Sequence, residues 1–203
     1  MPYDIDRIAE AITAWAGDND LEVERPQPRH VVVVLPGEKK LKTTVSIKCG
    51  VYRLSFQAFV VRKPDENHEA FYRWLLRANA RLSGLAFAVD SYGDVYLSAT
   101  LPTAVLTPAM GKDTFDRVLG GVLDDMLGMF LTTADESFNE LLRIGFFTSI
   151  RREWHWRTTH GESTANLAAF APLLEATGVG STPDTPAEND ASAPGKTPQR
   201  KDT

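Results

Sequence analysis

The sequence predicts a two-layer α+β sandwich: a five-stranded antiparallel sheet with helices on one face, in the order α-β-β-β-α-β-β-α. Three observations predict it. One long stretch, Thr114 to Gly145, repeats apolar residues at steps of three and four, the period of an amphipathic helix. Two groups of shorter runs alternate apolar and polar residues, the period of half-buried strands. The links between neighbouring runs are too short for the crossovers that parallel strands need.

The elements follow in chain order. Asp4 to Gly17 reads as a helix: Ile5, Ile8, Ala9, Ile12, Trp15 and Ala16 share a face, Asp4 suits the N-cap and Gly17 the stop. Glu24-Arg25-Pro26-Gln27-Pro28 reads as a connector, because its prolines forbid helix. His30 to Leu35 reads as a strand buried on both faces. Pro36 to Lys40 makes a turn. Val45, Ile47 and Cys49 then alternate with Thr44, Ser46 and Lys48, and beyond Gly50 the apolar set Tyr52, Leu54, Phe56, Ala58 and Val60 alternates with Arg53, Ser55 and Gln57.

Glu66 to Leu82 forms the second helix, with Phe71, Leu75, Ala78 and Leu82 on one face. Leu85, Phe87 and Val89, the turn Ser91-Tyr92-Gly93-Asp94, and Val95, Leu97, Ala99 and Leu101 make a hairpin. Pro102 to Lys112 is a loop leading to the long helix. That helix sets Phe115, Leu119, Leu123, Phe130, Ala134 and Leu141 against an acidic back of Asp116, Asp124, Asp125, Asp135, Glu136 and Glu140. Gly145 is expected as a left-handed C′ stop, with Phe146 folding back on Leu141. Ser149 to Arg157 alternates Ile150, Arg152, Trp154 and Trp156 with charged residues and reads as an extended edge segment. Ser163 to Thr177 reads as a short helix broken at Pro172. The domain plan is thus an α+β domain over 1–160, a short helical extension over 161–177 and a disordered tail over 178–203. The tail's four prolines and one large apolar residue, Val179, cannot offset the entropy of ordering it.

Bulk properties narrow the function. The formal charge of −5 at pH 7 argues against nucleic acid, whose phosphates need a basic face, and against an anionic membrane surface. A single cysteine, Cys49, excludes an internal disulfide. No basic-then-apolar leader and no membrane-length run is present, so a cytoplasmic protein is expected.

Several residues point beyond the fold to a family. Leu75-Leu76-Arg77-Ala78-Asn79, Gly93-Asp94-Val95-Tyr96-Leu97-Ser98-Ala99 with Leu101-Pro102, and Ala134-Asp135 with Phe138 resemble the YbjN-like proteins, described as bacterial sensory transduction regulators. Trp154 and Trp156 after Ser149-Ile150-Arg151-Arg152 resemble actinobacterial members, and the likeness runs from Tyr3 to Trp156. The resemblance implies a fold like that of type III secretion chaperones, small dimers that hold an extended segment of a partner protein. It implies no catalytic residues.

The chemistry-bearing residues agree with a non-enzyme. His30, His68, His155 and His160 with the lone thiol of Cys49 match no metal spacing. Cys49 in an alternating strand suits packing better than nucleophilic attack. Asp90 to Asp94 lacks the twelve-residue calcium loop and suits a hairpin turn with Gly93 at positive φ. Gly120, Gly121 and Gly128 match no phosphate loop; they fit a kink near Gly120 or a close approach at a dimer seam. No catalytic, cofactor or metal site is expected.

The candidate partner-binding residues are Arg73, Arg77, Arg81, Trp154 and Trp156. The arginines recur every four residues and repel one another by about 0.2–0.5 kcal/mol per pair. They face solvent and Glu69, or Asp135, Glu136 and Glu140, or an acidic partner. The tryptophans form either a sixth strand or an exposed aromatic platform. The expected function is a non-enzymatic protein-binding module of chaperone-like or regulatory type, a homodimer holding a partner polypeptide. The alternative is a small-ligand or enzymatic site between helix two and the long helix, built from Arg77, Asn79 and Asp135.

Overall fold

A computed structural model describes residues 5–106, 111–170 and 174. The alternating runs become six strands: β1 (Glu22–Gln27), β2 (His30–Pro36), β3 (Lys42–Cys49), β4 (Arg53–Val61), β5 (Ala86–Val89) and β6 (Val95–Pro102). They form one antiparallel sheet in the order β1-β2-β3-β4-β6-β5. The helices are α1 (Ile5–Asp18), α2 (His68–Asn79), α3 (Lys112–Gly145) and α4 (Phe147–Thr159), with short 3₁₀ segments at Thr103–Val105 and Ala165–Phe170.

The two-layer α+β architecture stands, but the sheet has six strands, not five. The sixth is β1, in the stretch expected to be a connector. Pro26 forbids helix there but not an edge strand, where one neighbour is enough and a missing N–H costs nothing. The ladder skips between Glu24 and Gln27, where Pro26 sits. The two-tryptophan segment, offered as a sixth strand, is helical instead and forms most of α4.

One face of the sheet is covered. Val31, Val33, Val45, Ile47, Leu54, Phe56, Ala58, Val95 and Leu97 point inward and are buried. On them lie Ile5, Ile8 and Ile12 of α1 and Leu119, Leu123, Phe130 and Leu141 of α3, all within one core. α1 packs on β1, β2 and β3; α3 packs on β2, β3 and β4; α2 packs on β5. The other face carries Val32, Val34, Ser46, Ser55, Gln57, Tyr96 and Ser98, none of them buried. β2 is therefore fully buried on one face only, since among the described residues no second layer covers Val32 and Val34, which stay partly exposed.

Other boundaries shift for local reasons. Tyr52 is 88% exposed and precedes β4. α2 is shorter than Glu66 to Leu82 at both ends. Asn67 in the left-handed region (φ 52°) holds back its start. At its end the N–H groups of Arg81 and Leu82 both fold back onto the Ala78 carbonyl. The β5–β6 turn is as expected: Gly93 has φ 93°, and Asp90 Oδ1 accepts the N–H groups of Tyr92 and Asp94, each at 2.9 Å. α3 is a single helix of 34 residues, about 51 Å long at 1.5 Å per residue. Trp15 of α1 lies against Gly120. The Asp4 cap, Pro172 and the tail over 178–203 lie outside the described residues.

Candidate partner-binding groove

The end of α3 departs most from expectation. Gly145 is not a left-handed stop: it remains helical, and the only described glycines at positive φ are Gly84, Gly93 and Gly161. Its smallness serves packing. A Cβ there would lie 2.8 Å from Cδ2 of Phe71 and 2.9 Å from Cβ of Pro64. Phe146 leaves the helical region (φ −141°, ψ 1°) and packs edge-on against Phe71 at 6.3 Å between centroids, instead of closing a Schellman contact. α4 then starts at once, so α3 and α4 meet at an elbow.

The segment before α2 clamps that elbow. Helix ends leave backbone groups without partners, and here residues 65–67 supply them. The Gly145 carbonyl accepts the N–H groups of Asp65 (2.9 Å) and Glu66 (3.2 Å). Asn67 Nδ2 donates to the Ile144 carbonyl at 2.9 Å. Glu66 accepts the Thr148 N–H at 2.7 Å and its hydroxyl at 2.6 Å, placing a carboxylate at the positive end of α4. Arg62 holds Asp65 through two hydrogen bonds, at 2.5 and 2.8 Å, and lies over the Phe146 ring at 4.8 Å.

A groove of about 540 Å³ opens at the elbow. Phe59 to Arg62 of β4 and the following loop form one wall, and Phe138, Leu142 and Phe146 another. Ile150 of α4 and Leu167 and Phe170 of the 3₁₀ segment complete it, with Lys40, Ser149 and Glu153 at the polar positions. Lys40 Nζ hangs 5.9 Å from the Phe59 ring and 5.6 Å from the Phe138 ring, and burial lowers its pKa. A second hollow, lined by Arg152 and Trp156, shares Ser149 and Glu153 with the groove.

The candidate residues are not gathered into one site. Arg73 pairs with Glu69 one turn away, and Arg77 is exposed. Arg81 lines a cleft of about 270 Å³ between α2 and α3 with Trp74, Phe87 and Glu136. None of the three lines the groove. Two of their suggested carboxylate partners are engaged elsewhere. Asp135 Oδ1 accepts the N–H groups of Lys39 (2.8 Å) and Lys40 (2.9 Å) and so closes the β2–β3 turn onto α3; Glu140 pairs with Arg143. Trp154 is partly buried against the core, whereas Trp156 is 49% exposed and stacks on His160 at 4.8 Å.

The alternative site also disperses. Asn79 accepts the Phe87 N–H at 2.7 Å and donates to the Phe87 carbonyl at 3.0 Å, so its amide seals the free edge of β5 as a further strand would. Neither Arg77, Asn79 nor Asp135 lines the α2–α3 cleft. Cys49 is 5% exposed and burial pushes its thiol up to about 11, which keeps it a thiol at neutral pH. His30 Nε2 lies 2.8 Å from Ser46 Oγ on the next strand. Among the described residues no three His, Cys, Asp or Glu side chains are grouped to hold a metal ion, and no helix is long and apolar enough to cross a membrane.

The groove was not read from the sequence, though signals for it exist. Phe59 falls on the polar side of the β4 alternation, an aromatic ring out of pattern. Phe147, Ile150 and Trp154 are spaced three and four apart, a helical step hidden by the shorter alternation of Ile150, Arg152, Trp154 and Trp156.

Comparison with known proteins adds the following. Residues 9–143 match the YbjN family model, described as "Putative bacterial sensory transduction regulator". An uncharacterized protein of Mycobacterium tuberculosis is 45% identical over 150 residues, 74% of this chain and 75% of that protein. One of Mycobacterium leprae is 43% identical over the same shares. Among solved structures, the ExsC–ExsE complex has a chain 20% identical to this one with a TM-score of 0.49, covering 68% of this chain and 96% of that one. The heterodimeric ExoU–SpcU complex from the type III secretion system of Pseudomonas aeruginosa has one 14% identical with a TM-score of 0.32, covering 59% and 97%.

Proposed function

The chain belongs to the YbjN family, and from that premise we propose that it is a non-enzymatic protein-binding module of chaperone-like or regulatory type, which holds a partner polypeptide. One observation carries the reading. Of the three residues offered for chemistry, Asn79 and Asp135 are engaged by backbone groups and Arg77 is exposed, while an aromatic groove stays open at the elbow. Apolar surface that can still be removed from water is a source of association free energy, about 25 cal/mol per Å². The alternative of a small-ligand or enzymatic site between α2 and α3 has less support, since its proposed residues lie apart.

The reading includes a homodimer. Light scattering should then give twice the 22.4 kDa chain mass.

The test is in-cell photo-crosslinking, with the reactive residue placed at Phe59, at Trp156 or, as control, at Asp18. A polypeptide adduct at the first two positions and none at the third is expected. Adducts at none of the three, or equally at all, remove the reading.

A further inference from the structure

The chain's own continuation already sits in the elbow groove. Beyond α4, Leu167 is 8% exposed and Leu174 is fully buried, while Phe170 packs on the core. The three are spaced three and four apart, as on one face of a helix. Leu167 and Phe170 occupy one side of the groove, and about 540 Å³ stays open beside them. That volume is within the range that takes a set of buried side chains or a ligand. The wall from Phe59 to Leu142 lies within the family-matched residues 9–143, and the covering segment lies beyond them.

The groove also carries a cation in want of a partner. Among the described residues no carboxylate lies within 4 Å of Lys40 Nζ, which donates only to the Lys42 carbonyl at 3.0 Å. Arg62, the other cation of the lining, is already bound by Asp65. Glu153 is bound by Arg157. Two aromatic faces beside one half-buried, unmatched ammonium fit an apolar segment that brings its own carboxylate.

We infer that the elbow groove is the docking site for a short amphipathic segment of a partner protein, with bulky apolar side chains three or four residues apart and a carboxylate that meets Lys40. The chain's own Leu167 and Phe170 are internal occupants that must yield for the partner to seat fully. The inference rests on the protein-binding reading and gives it a place, a partner chemistry and a built-in competitor. A site whose competent form is only partly populated binds more weakly by that fraction. Weakening the internal occupant should therefore tighten binding.

The test uses the full chain and a labelled peptide of its own residues 162–176, which carries Leu167, Phe170 and Leu174 with the carboxylates of Glu162 and Glu175. Fluorescence anisotropy compares the wild type with the Leu167→Ser/Phe170→Ser variant. The variant should bind the peptide about tenfold more tightly. Adding Lys40→Glu should weaken that binding about tenfold, whereas Lys40→Arg should not. Equal binding to wild type and variant, or indifference to the charge reversal, overturns the inference. If the double variant does not fold, the wild type still decides: a peptide carrying a photoreactive group at position 170 must crosslink to the Phe59, Phe138 or Ile150 region, and adducts elsewhere overturn it. Binding of a small apolar dye to the groove with no peptide binding also overturns it. A cellular partner that still crosslinks to an Ile150→Asp chain at the Trp156 position sinks the groove alone. Absence of any partner sinks the protein-binding reading beneath it.

Discussion

The two ends of α3 carry hollows that differ in how much charge lines them. Where α1 crosses its N-terminal half, a space of about 380 Å³ is lined by five charged residues, Arg7, Glu10, Asp18, Lys112 and Asp116, and by Ala11, Ala14, Trp15, Leu119 and Gly120. At the C-terminal end the groove is ringed by Phe59, Phe138, Phe146 and Ile150. The first is a solvated seam between two well-packed helices: Arg7 lies over Phe115 at 4.2 Å, and Trp15 lies on Gly120. The second exists because the helix breaks at Phe146 and α4 packs on α3 and the 3₁₀ segment, leaving aromatic surface uncovered. An exposed charge pair contributes about 0–1 kcal/mol, so a partner at the first hollow would gain less from its charges than from removing an aromatic lining like the second's from water. If the elbow groove is the docking site, binding capacity follows the break in the helix and not the charge along it.

The largest test removes what joins the ends. Phe130 is fully buried between them and stands 6.3 Å from Phe56. Phe130→Ala should cost about 3–5 kcal/mol in urea unfolding. A single transition that shifts as a whole is expected. Two separate transitions would break the comparison, since the ends would then be independent units.

The same substitution should act in opposite directions at the two ends. Gly145→Ala forces a Cβ into Phe71 and Pro64 and should cost about 1–3 kcal/mol by overpacking. Gly121→Ala meets nothing within 4 Å and should gain about 0.5–1 kcal/mol from helix propensity. Thermal unfolding of both variants checks the pair. A loss at Gly121 would mean that another chain already packs there.

Most of the fold was legible because burial imposes a period. The inward rows Val45 and Ile47, and Leu54, Phe56 and Ala58, with the α3 stripe from Phe115 to Leu141, could be read off the spacing alone. β1 was not legible, since Pro26 masks an edge strand that takes its order from β2 and not from its own residues. The elbow was not legible either. Gly145 before Phe146 looks like a helix stop, and only the long-range approach of Phe71 and Pro64 shows that the glycine makes room for a neighbour. Of the proposed partner residues, Trp156 was visible as an aromatic residue outside the core pattern. Lys40 was hidden in a polar turn, because its partners Phe59 and Phe138 come from elements distant in sequence.

The smallest expected effect concerns acid. Asp65 is held below its ordinary value of 3.8, first by the hydrogen bond from Arg62 and further by Ser149 in the groove wall. Above that value the carboxylate is ionised in both folded and unfolded chains, and the clamp's contribution is fully present. As pH falls below it the unfolded chain takes up a proton that the folded chain still refuses, so stability is lost until the folded carboxyl also protonates. Asp6 beside Arg29 and Glu140 beside Arg143 are shifted the same way, so the wild type should weaken from about pH 4.5 downward. Asp65 is partly exposed, and its share should stay under about 1 kcal/mol. Asp65→Asn should therefore flatten the acid limb slightly and loosen the elbow, whereas Asp6→Asn should flatten it without touching the groove. Urea midpoints of the three proteins from about pH 6 to pH 3, read beside peptide binding, separate the two. Peptide affinity that falls with Asp65→Asn and holds with Asp6→Asn ties the groove's shape to the 62–67 clamp. Equal behaviour would mean that the elbow keeps its angle without that clamp, through Phe146 and Phe71 alone.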